Sequence, residues 1–290
     1  MKRTLSALLL APLLVLASCS GGGGGGSAVA GSGTGTLTVE ATDAFLAHSQ
    51  VDTARVYVTE IRAHKSATAN SGFITLYSGP AKMLELTSLR NGVVQQLIQA
   101  TVPSGTYHQV RLIFSDAYLK LVNGNEYSTA LGNLKLTSQA TSGLKVFISP
   151  SVVIGDGANE AILLDFDLTK TFHPIPANDP LNASSYKLMP VVKASSNSAT
   201  GAIRGVVTKD DGSGTQVGVV GAGVYVLPPG EPDPTGAITS TASGPGGSYV
   251  VLGLDPGTYD VLAVEGALQG RANGVGVTAG NVTDANIVLQ

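Results

Sequence analysis

Two aspartates stand two residues apart in Leu164-Asp165-Phe166-Asp167-Leu168, alternating with large apolar side chains. In an extended chain this puts both carboxylates on one face, about 7 Å apart. Such a pair suits a calcium ion or the acid pair of a retaining glycosidase. Calcium takes about six to eight oxygens, and the sequence names only these two. The preferred reading is a solvated face or carboxylates bonded to backbone, with no metal ligand, cofactor or catalytic residue assigned. Lys209-Asp210-Asp211-Gly212-Ser213-Gly214 carries the acids and glycines of a calcium loop but lacks its alternating acids and closing glutamate. Asp-Gly makes it a hairpin turn instead. His48, His64, His108 and His173 never fall at a metal-ligand spacing. No Gly-x-Ser-x-Gly, His-Glu-x-x-His or phosphate-cradling loop occurs, so an enzyme is not expected. Sugar rings stack on exposed aromatic faces, above all Trp, and the chain has 9 Tyr and no Trp. Tyr107, Tyr249 and Tyr259 read as structural. Tyr118, Tyr127 and Tyr225 are freer, though packing is the better reading for each.

The chain has a single cysteine, Cys19. Lys2 and Arg3 precede a short apolar run, Leu5 to Leu16, and Leu16-Ala17-Ser18 leads to that cysteine. The run is too short for a permanent membrane helix, which needs about 20 apolar residues. It has the charge, apolar core and small-residue end of a secretory signal peptide. Leu16-Ala17-Ser18-Cys19 resembles the bacterial lipobox. The resemblance implies cleavage after residue 18, a diacylglycerol on the Cys19 thiol, and, with Ser20 and not Asp next, passage to an outer membrane where one exists. Loss of Lys2 and Arg3 leaves 15 basic against 20 acidic residues, a formal charge of −5. That balance argues against nucleic acid.

Gly21 to Gly26 and the small residues to Gly35 have much backbone entropy and little to bury. Residues 19–35 therefore read as a tether that lifts the folded part from the lipid surface. From Thr36 the pattern becomes alternation: Leu37, Val39 and Ala41; Val56, Val58 and Ile61; Val110, Leu112 and Phe114. Turn signals punctuate these runs at Asn70-Ser71-Gly72, Ser78-Gly79-Pro80, Pro103-Ser104-Gly105, Asn123-Gly124-Asn125 and Gly155-Asp156-Gly157. Between residues 88 and 100, Leu89, Val93, Leu97 and Ile98 suit one short helix with Ser88 as N-cap. Residues 194–201 are small and polar and read as a linker. Beyond them strands are expected over 202–208, 223–227, 248–252, 258–264 and 286–289. Glycine is denser there, and three basic residues (Arg204, Lys209, Arg271) face eight acids. The fold class is all-β: two β-sandwiches, over residues 36–193 and 202–290, the first with one short helix. Pro103-Ser104-Gly105-Thr106-Tyr107 and Pro256-Gly257-Thr258-Tyr259 each feed a strand with an early tyrosine, as in a tyrosine corner.

Two resemblances cover most of the chain. Residues 34–193 resemble a bacterial domain family of unknown function common in secreted lipoproteins. The match is carried by Gly35 to Val39, Thr42-Asp43-Ala44, Val56 to Ile61, Leu84 to Leu89, Pro103 to Leu112, Leu164 to Asp167 and Tyr186 to Val192. Residues 200–290 resemble the carboxypeptidase regulatory-like domain, a prealbumin-like sandwich grouped with starch-binding-like folds. Gly205 to Thr208, Ala222 to Val226, Gly247-Ser248-Tyr249 and Leu254 to Tyr259 carry that likeness, while Gly244-Pro245-Gly246 stands where the family often has Asp. Neither resemblance supplies an activity, and the fold alone does not license sugar binding. The expectation is a non-catalytic lipoprotein of the cell envelope, held at the membrane by the Cys19 lipid. It would act as a binding or structural scaffold toward envelope proteins or glycans, with a carbohydrate-binding accessory protein as the alternative.

Overall fold

Alternation along the chain becomes alternation of burial. The computed structural model describes residues 33–43, 50–66 and 72–290. The signal peptide, Cys19, the tether through residue 32, His48 and Asn70-Ser71 lie outside the described residues. In β1 (Thr34–Asp43), Leu37, Val39 and Ala41 are wholly buried while Thr38 and Glu40 are half-exposed. The strand begins at Thr34, so the last residues assigned to the tether are already paired: Ser104 donates its N–H to the Gly33 carbonyl at 2.9 Å. There follow β2 (Val51–His64), β3 (Ile74–Glu85), β4 (Gln95–Pro103), β5 (Gly105–Leu121), β6 (Glu126–Ser128), β7 (Leu134–Leu136), β8 (Leu144–Ile154), β9 (Asn159–Phe166), β10 (Phe172–Ile175), β11 (Ser185–Leu188) and β12 (Val192–Ser196). One sheet runs β3-β2-β5-β8-β12-β9-β1-β4, with β6 added to β5; β10-β11-β7 form a small second sheet. Its two edge strands approach each other, and Gln95 Nε2 on β4 donates to the Met83 carbonyl on β3 at 3.0 Å. Ser78-Gly79-Pro80, expected as a turn, lies inside β3, and the edge position of that strand tolerates the proline.

The helix expected over 88–100 does not form. Leu86–Ser88 make one 3-10 turn, Asn91 and Gly92 are both left-handed (φ 60° and 75°), and β4 follows. Asn-Gly is a turn signal, and it overrides the four-residue spacing of Leu89, Val93 and Leu97. The short helices lie elsewhere, α1 (Ser138–Ser142) and α2 (Leu168–Thr171). Residues 194–201 are not a free linker either. β12 continues through Ser196, antiparallel to β9, and a turn over 197–199 leads directly toward the next strand. Ala194, Ser195 and Ser196 are buried, and Asn197 Nδ2 donates to Glu40 Oε2 at 2.9 Å. Small polar residues here fill a packed joint with hydrogen bonds.

The second half comprises β13 (Gly201–Asp210), β14 (Gln216–Gly218), β15 (Gly223–Leu227), β16 (Thr239–Ala242), β17 (Ser248–Leu254), β18 (Gly257–Glu265), β19 (Leu268–Val277), β20 (Val282–Asp284) and β21 (Ile287–Leu289). One sheet is β14-β13-β17 with β20 and β21 on β13; the other is β16-β15-β18-β19. Between them lies a core that includes Ile203, Val207, Val224, Val226, Tyr249 and Val261. It is separate from the core of the first half, although the described residues form one compact unit. Residues 210–214 form the hairpin turn between β13 and β14, with Asp210 Oδ1 accepting from Gly212 N (2.6 Å) and Gly214 N (3.0 Å). Where β13 changes partner from β20 to β21, a Cβ on Gly205 would sit 1.9 Å from the Ala285 carbonyl oxygen, so only glycine fits.

The two tyrosine turns match. Tyr107 Oη donates to the Pro103 carbonyl at 2.7 Å, and Tyr259 Oη to the Asp255 carbonyl at 2.7 Å. Each hydroxyl satisfies a carbonyl four residues back while its ring closes a core. Asp260 beside Tyr259 is buried and fully used. Its carboxylate accepts from Gly230 N (2.8 Å), Gly274 N (2.8 Å) and Arg271 Nη2 (2.9 Å). Those donors, with the Arg271 charge, hold its pKa below the usual carboxylate range.

Tyr107→Phe and Tyr259→Phe should each lower unfolding free energy by about 1 kcal/mol, measured by chemical denaturation. Asp260→Ala should cost about 1.5–3 kcal/mol. Because the folded pKa of Asp260 is depressed, its contribution is present above the unfolded carboxylate pKa and lost as pH falls through the folded one. The wild-type minus Asp260→Ala difference should therefore shrink in acid; a difference that stays flat from neutral pH down to pH 2 would contradict this account.

Candidate functional site

The two aspartates flagged for chemistry lie at the seam between the two sandwiches. β1 and β9 run parallel with Thr42 opposite Asp165 and Asp43 opposite Phe166. Asp165 half-faces the seam, and Lys193 on β12 is its antiparallel partner. Asp167 lies just past the end of β9 as the residue before α2, not on the strand face, and pairs with Lys170 at 2.9 Å. Lys193 Nζ reaches across to the Ile238 carbonyl at 2.9 Å. Asp165, Asp167, Lys170 and Lys193 form one wall of a cleft of about 250 Å³, and the segment from Pro234 to Ser240 forms the other.

Behind the pair sits a third carboxylate that the spacing argument does not name. Asp43 ends the apolar face Leu37, Val39, Ala41 and is 4 % exposed. Its Oδ1 accepts from Leu168 N at 3.2 Å, and its Oδ2 is buried with no hydrogen-bond partner among the described residues. Burial pushes its pKa well up, and the nearby Asp165 and Asp167 charges push further; the Leu168 N–H and Arg90 oppose them. The available signal was the period-two face itself, whose next member after three apolar residues is an acid.

Asn91 closes the seam. Its left-handed backbone turns the side chain onto β17, an edge strand of the second half. There Nδ2 donates to the Ser248 carbonyl (3.2 Å) and Oδ1 accepts from Val250 N (2.8 Å), while Asn91 N donates to Thr241 Oγ1 (3.2 Å). The amide thus imitates a strand neighbour. A Cβ on Gly92 would come within 2.7 Å of the Val250 side chain.

Other sequence candidates stay apart. His64 packs against Phe73 (5.0 Å) and its Nδ1 accepts from Ser66 N, whereas His173 Nε2 lies 2.9 Å from the Lys170 carbonyl. Among the described residues, no group of three or more His, Cys, Asp or Glu is disposed to hold a metal ion. Tyr127 is buried, donates to the Ala183 carbonyl at 2.7 Å and meets Tyr186 edge-on at 4.6 Å. Tyr118 carries the Arg55 guanidinium 5.4 Å above its ring, and Tyr225 is half-buried in β15. The seam offers polar and charged groups for holding a ligand or a second surface.

These features define an all-β protein of two sandwiches joined by a polar seam. Residues 34–190, more than half of the chain, match the family described as "Domain of unknown function (DUF4382)". The chain belongs to that family. No curated protein matches it. Among solved structures it is similar to the Bacillus anthracis TIE protein (10 % identity, TM-score 0.21), covering 89 % of this chain and 34 % of that one. A streptococcal ancillary pilin gives 15 % identity and TM-score 0.22 over 89 % and 62 %. The minor pilin GBS52 of Streptococcus agalactiae gives 10 % and 0.24 over 89 % and 95 %. The chain thus spans about a third of the first structure and under two thirds of the second.

Asn91→Ala removes both side-chain bonds and leaves Val250 N–H and the Ser248 carbonyl without them. The expected loss is about 1–3 kcal/mol of stability, with faster amide hydrogen exchange at Val250. Unchanged exchange there would show that the amide does not fasten the two halves.

Proposed function

We propose that the protein is a non-catalytic lipoprotein of the cell envelope, anchored through Cys19, whose two sandwiches form a rigid scaffold for binding. The observation that carries this reading is how the chemistry-bearing side chains are used. The hydroxyls of Tyr107, Tyr127, Tyr186, Tyr249 and Tyr259 each donate to a backbone carbonyl, and Asp260 and Arg271 brace loops. These groups hold the frame in place of a reacting molecule. Of the three tyrosines open to a sugar platform, Tyr127 is used in this way, and Tyr118 lies under the Arg55 guanidinium, which weighs against a platform of free rings. The second half fits a carboxypeptidase regulatory-like module appended to the family domain, on the motifs Gly205 to Thr208 and Leu254 to Tyr259. Membrane attachment, the outer-membrane destination and envelope proteins or glycans as partners belong to this proposal and rest on Leu16-Ala17-Ser18-Cys19. No helix among the described residues is long and apolar enough to cross a membrane.

In bacteria fed an alkyne-tagged fatty acid, the wild-type chain should take up label and sediment with membranes. Cys19→Ala should lose the label and either keep its leader or appear in the soluble fraction. Labelling that survives the substitution would refute the anchor.

A further inference from the structure

The seam holds a second pocket, of about 250 Å³, walled by Glu40, Val94, Leu163 and Asn197 from the first half and by Leu252 and Val282 from the second. At that size its guest is a small molecule or a single side chain. The parallel register of β1 and β9 sets Glu40 opposite Leu163, so both side chains leave the same face of the sheet, away from the wholly buried Val39 and Ala41. Asn197 Nδ2 donates to Glu40 Oε2 at 2.9 Å and holds the carboxylate at this wall. A carboxylate has about four acceptor positions, so it can take further donors. The apolar walls are also open to a guest: Val94 and Val282, one from each half, are 43 % and 53 % exposed. Among the described residues no lysine, arginine or histidine lines the pocket, and the ion pairs use other acids. The second half sets three basic residues against eight acids, a balance that favours a cationic guest. A calcium ion would want about six to eight oxygens and gain nothing from the valines. An organic cation uses both the acid and the aliphatic walls.

We propose that this pocket binds an alkylammonium group, with the charged head on Glu40 and the chain against Val94, Leu252 and Val282. An ammonium brings three donors to a carboxylate, and each methylene covered by the aliphatic walls adds affinity through lost water contact. A free amine and the lysine side chain of another protein present this same chemistry. The pocket does not depend on the Cys19 lipid, so its occupancy is independent of membrane attachment.

The test uses the isotope-labelled full-length chain in detergent, with n-butylammonium as the probe and the amide resonances of Gly253 and Asn281, which also line the pocket, as the readout. Those resonances should shift saturably. Binding should tighten about three- to fourfold per methylene from ethyl- to butylammonium. Neutral n-butanol should bind the wild type about tenfold more weakly or worse, because it lacks the charge-assisted bond to Glu40. Glu40→Gln keeps an oxygen for Asn197 and should reduce butylammonium to the level of butanol. The comparison with butanol needs no variant, so it decides the matter even if Glu40→Gln fails to fold. Acetyl-lysine methylamide separates the two sources: tighter binding than butylammonium supports a partner's lysine, and weaker binding supports a free amine. Absence of saturable shifts at Gly253 and Asn281 would overturn the proposal. So would equal binding of butanol and butylammonium, or butylammonium binding undiminished in a folded Glu40→Gln.

Discussion

An edge strand leaves a row of N–H and C=O groups without partners, and in β17 two of these groups are taken by the side-chain amide of Asn91. Much of the local architecture follows from that docking. The amide reaches β17 because its backbone is left-handed, and Gly92 must follow because any larger residue would strike Val250. A left-handed pair cannot sit inside a helix, so the chain leaves the 3-10 turn at Leu86–Ser88 and enters β4 directly. The loop so formed lies against the acidic end of β1, where Thr42 Oγ1 donates to the Leu89 and Val93 carbonyls. One contact thus couples the position of the second sandwich to the end of the first sheet.

The same residue type behaves in opposite ways at two places in the molecule. Asp260 and Asp43 are both nearly inaccessible to water. Asp260 meets two backbone N–H groups and a guanidinium, and its charged form is favoured. Asp43 meets one N–H group and two other acids, and its charged form is penalised. Burial penalises charge at both positions; at Asp260 the donors outweigh that penalty, and at Asp43 the single N–H does not, with the like charges adding to it. Asp260 therefore reads as a brace that stabilises the loops around it, and Asp43 as a position whose cost something else must offset.

Strands were legible wherever one face is buried. Leu37, Val39 and Ala41, or Val110, Leu112 and Phe114, announce their faces because solvent and core alternate beside them. β19 did not, since its residues are largely small and exposed, with Gly270, Gly274 and Gly276 breaking any pattern. The expected helix failed because Leu89, Val93 and Leu97 coincide with a helical spacing whose middle is occupied by Asn-Gly. The linker reading failed for a related reason: Ser195 and Ser196 look solvated by composition, yet a strand pairing with β9 buries them. Of the seam, Asp165 and Asp167 were visible from spacing within one segment. Asp43 and Asn91 were not, because their roles depend on groups more than a hundred residues away, Leu168 for one and Val250 for the other.

The parallel pairing of β1 with β9 has a consequence for the order in which the chain can assemble. Thr36 faces Asn159, whereas β2, β3 and β5 find antiparallel partners nearer in sequence. Non-local pairing must bear its loop-closure entropy before its contacts contribute, so the ladder between β1 and β9 is a late event. As the chain emerges from its amino end, the first strand among the described residues is among the last to be enclosed. In the interval β1 has β4 on one side and a bare hydrogen-bonding edge on the other, the kind of edge that recruits foreign strands. The vulnerable moment of this protein's life therefore comes before β9 and β12 arrive, and its exposure to misassembly is set by topology more than by the stability of the finished fold.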